Sequence, residues 1–277
     1  MHDPEQNRSL SDHRHDDAYV CPICGEAGRR HGEGIHRELN LCSSCGSNSR
    51  FRATVVAVLK AIVGQDSDYN LSQMAPQKAI RGIGCSDSEV HARLLADKFD
   101  YVNTFYHGEP FLDIENDHSY LEYQPLDFII CNDVLEHAFL PPGEVIPILY
   151  QSLRPGGYLI LCAPTYKLPK HIEKYPSLAG YEVNKTAKGY QLHVQPKLGR
   201  DHVDPQPVFH GGPGSVLELR LISDQGLQRN LRSVGFEVSQ LSDSVLKIYG
   251  AWWPERLERS DLQVEAIGKP FICRKSC

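Results

Sequence analysis

The sequence predicts an α/β fold: a Rossmann-like, mostly parallel sheet with helices on both faces, preceded by a small cysteine-rich unit. Three observations predict it. Between residues 78 and 165, short apolar runs alternate with stretches of helical period. Two of those runs, LDFIIC (126–131) and YLILCAP (158–164), are apolar almost throughout, as strands buried on both faces are. Two C-x-x-C pairs fall within one 25-residue window near the N-terminus.

The elements follow in order. Residues 1–18 are polar and rich in His and Asp, and they read as a flexible tail in which His2, His13 and His15 are solvated. Residues 19–50 form the compact Cys/Gly/Arg unit. FRATVVAVLKAIV (51–63) has helical period, and the turn-rich stretch to residue 77 reads as a linker. The main domain, 78–277, opens with a strand at Ala79–Ile83. A helix over Ser86–Lys98 follows, with Ser86 or Asp87 suited to cap it. Strands are expected at Phe99–Phe105, Phe111–Ile114 and Leu126–Cys131, then a helix near Gly143–Leu153. The turn Arg154-Pro155-Gly156-Gly157 is expected to end that helix before the YLILCAP strand. Residues 165–215 break the rhythm with six Pro and six Gly, and they read as a long irregular insert able to cap a substrate. A helix at Leu227–Val234 and strands at Phe236–Leu241 and Pro270–Arg274 close the domain.

The cysteine spacing, C-x2-C-x17-C-x2-C, carries chemistry. Cys21-Pro22-Ile23-Cys24-Gly25 and Cys42-Ser43-Ser44-Cys45-Gly46 each fit a tight knuckle whose following glycine permits the turn. Together they supply four thiolates, which is a closed structural zinc site and makes residues 19–50 a zinc ribbon. His31 and His36 lie between the pairs and are not needed as ligands. Cys131 and Cys162 sit in strand-like runs and read as packing residues.

Composition bounds the partners. With 277 residues the chain buries a full core without disulfides, and its nine cysteines, an odd number, argue against a disulfide framework. No apolar run approaches the length that spans a bilayer, and MHDPEQNRSLSDHRHDD lacks the apolar stretch of a secretory signal. A cytoplasmic protein with no membrane partner is therefore expected. The net charge of −6 gives no support to strong nucleic-acid binding. Residues 20–60 nevertheless hold six Arg/Lys against three Asp/Glu, and Arg29, Arg30, Arg37, Arg50 and Arg52 are candidates either for phosphate contact or for internal ion pairs.

Ile80-Arg81-Gly82-Ile83-Gly84-Cys85-Ser86-Asp87 joins the first strand to the first helix, where an open parallel sheet places its ligands. It has neither the third glycine of a dinucleotide fingerprint nor the lysine of a phosphate-binding loop. IRGIGCSDSE, FLDI, LDFIICNDVLEH and LRPGGYLILCAPT, in that order over residues 78–165, resemble a class I S-adenosylmethionine (SAM)-dependent methyltransferase. The resemblance implies the methionine portion of SAM over Gly82, Gly84, Cys85 and Ser86, and adenine beside Asp113 and Ile114. It also implies a sulfonium near Asn132 and Asp133. Two departures stand out: Gly82 occupies the place of a usual acidic residue, and no carboxylate directly follows the second strand. Asn103 or Glu109 is the nominee for the ribose.

Asp133 and Glu136 also match a capping box at a strand-to-helix turn. His137 is either a helix histidine or a group facing the methyl acceptor. His210, in VFHGGPG, is either a loop histidine or a base acting on the acceptor's proton. The resemblance implies methyl transfer to a small-molecule or glycan-type acceptor, with O-methylation foremost. An RNA methyltransferase docking through the ribbon, and a non-catalytic interaction module that has lost SAM, are the competing readings.

Overall fold

The computed structural model describes residues 18–29, 36–64, 70–210, 214–254, 256–259 and 264–276; for 256–259, 264 and 265 it describes the backbone alone. The expected tail at 1–17, with His2, His13 and His15, lies outside these residues, as do Arg30 and His31.

Along the chain run β1 (Ala18–Val20), β2 (Ala27–Arg29), α1 (Ser49–Val58, continued by a wider turn over Leu59–Val63) and β3 (Gln77–Cys85). Then come α2 (Glu89–Lys98), β4 (Phe99–Thr104), β5 (Leu126–Asn132), α3 (Pro142–Ser152) and β6 (Leu153–Cys162). Short strands follow: β7 (Thr165–Tyr166), β8 (Ile172–Glu173), β9 (Leu178–Thr186), β10 (Gly189–Pro196) and β11 (His202–Asp204). After β12 (Phe209–His210), β13 (Val216–Leu217) and β14 (Arg220–Ser223) come α4 (Asp224–Ser233), β15 (Phe236–Gln240) and α5 (Asp243–Ile248). β16 (Arg256–Arg259), β17 (Val264–Ala266) and β18 (Phe271–Lys275) complete the chain.

The chain divides into two compact units. The first comprises Met1–Ile80, Ser88–Tyr101 and Gln240–Pro254. In it the knuckle after β1 is tied to the segment before β3, through Leu71 N–H to Pro22 O (2.8 Å) and Ser72 N–H to Ile23 O (3.0 Å). α1 starts where the Asn48 side chain accepts from Phe51 N–H, and it stops before Gly64 in a left-handed conformation. Arg52 is fully buried beneath it. Its guanidinium donates to the carbonyls of Ser47, Asn40 and Gly250 and lies 4.7 Å over the Tyr19 ring.

The second unit comprises Arg81–Asp87, Val102–Ser239 and Glu255–Cys277. Its main sheet runs β15-β18-β6-β5-β3-β4. β3, β5 and β6 are mutually parallel, and β18 is antiparallel to β6. The connection from β3 to β4 steps one way across this sheet and that from β5 to β6 the other, the arrangement in which right-handed crossovers lie on opposite faces. This is the expected Rossmann-like α/β fold. Inserting antiparallel β18 beside β6 departs from the all-parallel dinucleotide-binding order. Ile83, Phe271 and the apolar faces of β5 and β6 meet Val145, Leu149, Leu227 and Leu231 in one core. A second sheet, β16-β17-β7-β14-β8, and a meander, β11-β10-β9, complete the unit.

Five local expectations are corrected. α2 begins at Glu89 and is capped by Ser88, because Ser86 turns left-handed (φ 59°) to donate its N–H to Thr104 O. Phe111–Ile114 makes one parallel bridge, Phe105 to Phe111, and no strand: Pro110 has no N–H to give, and the Asp113 carboxylate turns the chain by accepting from Glu115 N–H. Asp133 and Glu136 form no capping box, since α3 starts only at Pro142, whose ring presets the first helical turn. Arg154–Gly157 does not separate α3 from a later strand. It sits inside β6 as an excursion between the pairs Leu126–Leu153 and Phe128–Tyr158. Finally, the 165–215 stretch is largely regular. β9 and β10 pair over their full length around Gly189, and Leu192 and Val194 share a small core with Tyr175, Leu217 and Leu219.

Gly82 is a packing glycine. A Cβ there would fall 2.3 Å from the Phe128 ring on neighbouring β5. Gly82→Ala is expected to destabilise the second unit by about 1–3 kcal/mol. Adding Phe128→Leu is expected to recover part of that loss. Urea unfolding of both variants checks it, and equal stability of Gly82→Ala and the parent would contradict it.

Candidate functional site

The carboxyl ends of β3 and β5 carry a polar cluster within the second unit. Ser86, just past β3, is exposed and left-handed, and Asp133, just past β5, is left-handed as well (φ 52°). Two non-glycine residues thus take this conformation at the ends of adjacent parallel strands. Between them Asp87 is buried. Asn103 Nδ2–H donates to Asp87 O and Asn103 Oδ1 accepts from Asp87 N–H, both at 2.9 Å. Asn132 Nδ2–H donates to the Asp87 carboxylate at 3.3 Å. Asp133 N–H is tied to Cys162 O on β6.

These contacts sort the nominees. Cys85, Ser86, Asn132 and Asp133 converge on this edge, and Gly84 O on β3 accepts from the Thr104 hydroxyl. Asn103 uses its amide to hold the Asp87 backbone, which makes it a positioning residue. Glu109 is exposed and accepts from Phe111 N–H. Asp113 is partly buried in its own turn, and Ile114 is part of the core. Asp87 was expected only as a helix cap; an aspartate three residues beyond the last glycine of the strand was the signal for it.

A second cluster follows three residues beyond Asp133. The Glu136 side chain is fully buried, and neither carboxylate oxygen has a hydrogen-bond partner. His137 Nδ1 lies 2.7 Å from Leu217 O, so Nδ1 carries the proton and Nε2 the lone pair. That Nε2 lies 3.1 Å from His210 Nδ1, and the two rings are perpendicular. Glu136 Oε1 lies 3.5 Å from His210 Nδ1 and 3.7 Å from His137 Nε2. His210 Nε2 is 3.7 Å from Glu218, which is buried and paired with Lys174. Burial works against the His210 cation, but the neighbouring Glu136 and Glu218 carboxylates outweigh it and raise its pKa to about 9. Burial likewise works against the Glu218 carboxylate, and His210 and Lys174 reverse it, holding its pKa below the usual range.

Arg220 builds this cluster. It is 2% exposed and lies on β14. Its guanidinium grips Glu173 through Nε and donates to the carbonyls of Leu135 (2.8 Å), Ala138 (2.6 Å) and Phe139 (3.2 Å). Leu219 N–H adds a bond to Glu136 O. The turn carrying Glu136 and His137 is thereby pinned from both sides. Nothing in the sequence period marks Arg220.

In the first unit Cys21, Cys24, Cys42 and Cys45 place their sulfurs within 4.8 Å of one another. Cys21–Cys45 and Cys24–Cys42 are each 3.7 Å apart. Four sulfurs about 2.3 Å from a central zinc stand about 3.8 Å apart, so the set fits that ion. Gly25 and Gly46 are left-handed, and each donates back to the first cysteine of its knuckle. His36 instead accepts from Glu38 N–H. Arg37 and Arg50 converge on Glu38, and Arg52 is internal, so three of the five candidate phosphate-binding arginines have partners inside the unit.

No protein-family model matches the sequence, and no curated protein matches it. Solved structures do resemble the chain in shape. Streptomyces venezuelae DesVI is 9% identical with a TM-score of 0.41, and the match covers 83% of this chain and 92% of that one. CalS10, a SAM-bound amino pentose methyltransferase from Micromonospora echinaspora, is 11% identical with a TM-score of 0.41, covering 83% and 93%. The sugar N-methyltransferase KedS8 from Streptoalloteichus is 11% identical with a TM-score of 0.43, covering 85% and 89%. Among the described residues no helix is long and apolar enough to cross a membrane.

Proposed function

We propose that the 78–277 domain is a SAM-dependent methyltransferase acting on a small-molecule or glycan-type acceptor, with O-methylation foremost, and that residues 19–50 are a structural zinc ribbon. The observation that carries the reading is the edge formed by Ser86, Asp87, Asn103, Asn132 and Asp133. It lies at the carboxyl ends of adjacent parallel strands, in motifs that resemble the class I family. Its polar groups suit the carboxylate, amine and sulfonium of the donor. SAM supplies an activated methyl group on a sulfonium. Asn103 and Asn132 fix Asp87, and Asp133 fixes the end of β5, so the edge is shaped before a ligand arrives. His137 and His210 stand beside the acceptor. The β9–β10 meander, with Tyr181 stacked on Phe139, serves as the acceptor's roof in the 165–215 cap. Among the described residues no cysteine forms a disulfide, which suits a reducing, cytoplasmic setting. Zinc with four thiolates has no open position and takes no part in the chemistry.

Calorimetry of the full chain with SAM and with its demethylated product tests the donor site. Binding is expected, and Asn132→Ala, which deprives Asp87 of its amide donor, is expected to weaken it at least about tenfold, about 1.4 kcal/mol. No heat with millimolar SAM would support the non-catalytic module instead. Labelled SAM added to small-molecule, RNA and protein fractions tests the acceptor. Label confined to RNA, with a steep salt dependence, would overturn the small-molecule reading.

A further inference from the structure

We propose that Glu136, His137 and His210 form a facial site for a first-row divalent cation, separate from the four-cysteine cluster. The three ligand atoms make a triangle with edges of 3.1, 3.5 and 3.7 Å. Ligands about 2.1 Å from a shared ion stand about 3.0 Å apart at right angles and about 3.4 Å apart at the tetrahedral angle, so the triangle has the size an ion requires. Glu136 is the independent observation. It is fully buried, and no hydrogen bond reaches either carboxylate oxygen. Its carboxylate faces the two imidazole nitrogens, so an ion shared among the three would neutralise it.

The outer partners are those of a metal site. His137 donates its far nitrogen, Nδ1, to Leu217 O, which leaves Nε2 facing the triangle. His210 turns its far nitrogen toward Glu218, and Lys174 holds Glu218. Arg220 and Leu219 N–H fix the turn that supplies two of the three ligands. The His210 side chain is one-third exposed, so the site is open on that side and leaves positions for water or an acceptor oxygen. Two imidazoles and one carboxylate suit Mn2+, Fe2+ or Zn2+, whereas Mg2+ and Ca2+ prefer an all-oxygen shell. A bound ion there would take an acceptor hydroxyl or carboxylate as a ligand and lower the hydroxyl's pKa. The site stands on these side chains alone and does not rest on the methyl-transfer reading.

The test uses the full chain with its zinc retained and with Mn2+ as probe, reading free Mn2+ by electron paramagnetic resonance. One Mn2+ per chain is expected. Glu136→Gln and His210→Gln are each expected to weaken it at least about tenfold, and Glu218→Gln to weaken it about tenfold through His210. His210 is the more exposed ligand, so its variant keeps the fold if the Glu136 variant does not. Circular dichroism and zinc content report on both. No uptake at about 1 mM Mn2+, far above the concentrations at which specific sites fill, would overturn the proposal. So would uptake that His210→Gln leaves unchanged, and the histidine pair would then be a plain hydrogen bond.

Discussion

Arg220→Ala is expected to cost the second unit about 3–5 kcal/mol and to dissolve the Glu136–His137–His210 cluster. The guanidinium is 2% exposed and satisfies a carboxylate and three main-chain carbonyls. Removing it leaves the main-chain carbonyls of the 135–139 turn, Leu135 and Ala138 among the buried residues, without their donor, and it leaves the exposed Glu173 carboxylate without its counter-ion. In a unit of this size each kcal/mol moves the midpoint by about 2–4 °C, so the thermal transition should fall by roughly 10 °C or more. Arg220→Lys should rescue little, because an ammonium cannot reach in a fork to a carboxylate and a turn at once. The imidazole resonances of His137 and His210 should lose their distinct environments in both variants. An unshifted midpoint for Arg220→Ala would show that the turn at 135–139 holds itself.

The case of Arg220 also shows where the sequence is legible. β5 and the last part of β6 were legible because strands covered on both faces must be apolar at every position, and few other contexts tolerate LDFIIC or YLILC. The four cysteines were legible because metal ligation fixes both residue type and spacing. His137 and His210 were nominated separately, and the fold brings them to 3.1 Å although 73 positions separate them. Their carboxylate neighbours were hidden, because Glu136 looked like a capping residue and nothing in the sequence singled out Glu218.

The misreadings share a cause. The proline and glycine content of 165–215 argued for irregular chain, yet Pro176, Gly189 and Pro196 stand at or near the ends of β9 and β10, while YQLHV between Gly189 and Pro196 alternates as a half-buried strand does. Ser86 looked like a cap because caps favour serine, but the tertiary bond from its N–H to Thr104 O places it left-handed and hands the cap to Ser88. At Gly82 the ring of Phe128 on the next strand leaves no room for a side chain, a constraint separate from the expected ligand contact. Each is a contact between distant segments, which neither local propensity nor period encodes.

Removing zinc is expected to have the largest effect in the first unit. Under the zinc reading, the two knuckles are held together chiefly through the metal; besides it, Cys21 Sγ lies 3.5 Å from Ser47 Oγ, and Arg52 bonds Ser47 O and lies over Tyr19. Structural zinc sites contribute about 10–16 kcal/mol of apparent binding free energy near neutral pH, more than a small unit can replace by burial. The four sulfurs would otherwise crowd at 3.7 Å, and the thiolates that bind the ion would repel one another. The damage should spread along named contacts. Ser47 carries a carbonyl bonded by Arg52, and Pro22 and Ile23 carry the carbonyls that anchor Leu71 and Ser72. Chelation, or Cys42→Ser, should therefore speed amide exchange at Leu71 and Ser72 and in α1 by several orders of magnitude, and re-adding zinc to the parent chain should restore protection. Cobalt substitution should give the intense thiolate-to-metal bands of a tetrahedral four-sulfur site. If protection at Leu71 and Ser72 survives full chelation, Arg52 and the apolar face of α1 hold the unit without the ion, and the cysteines serve another purpose.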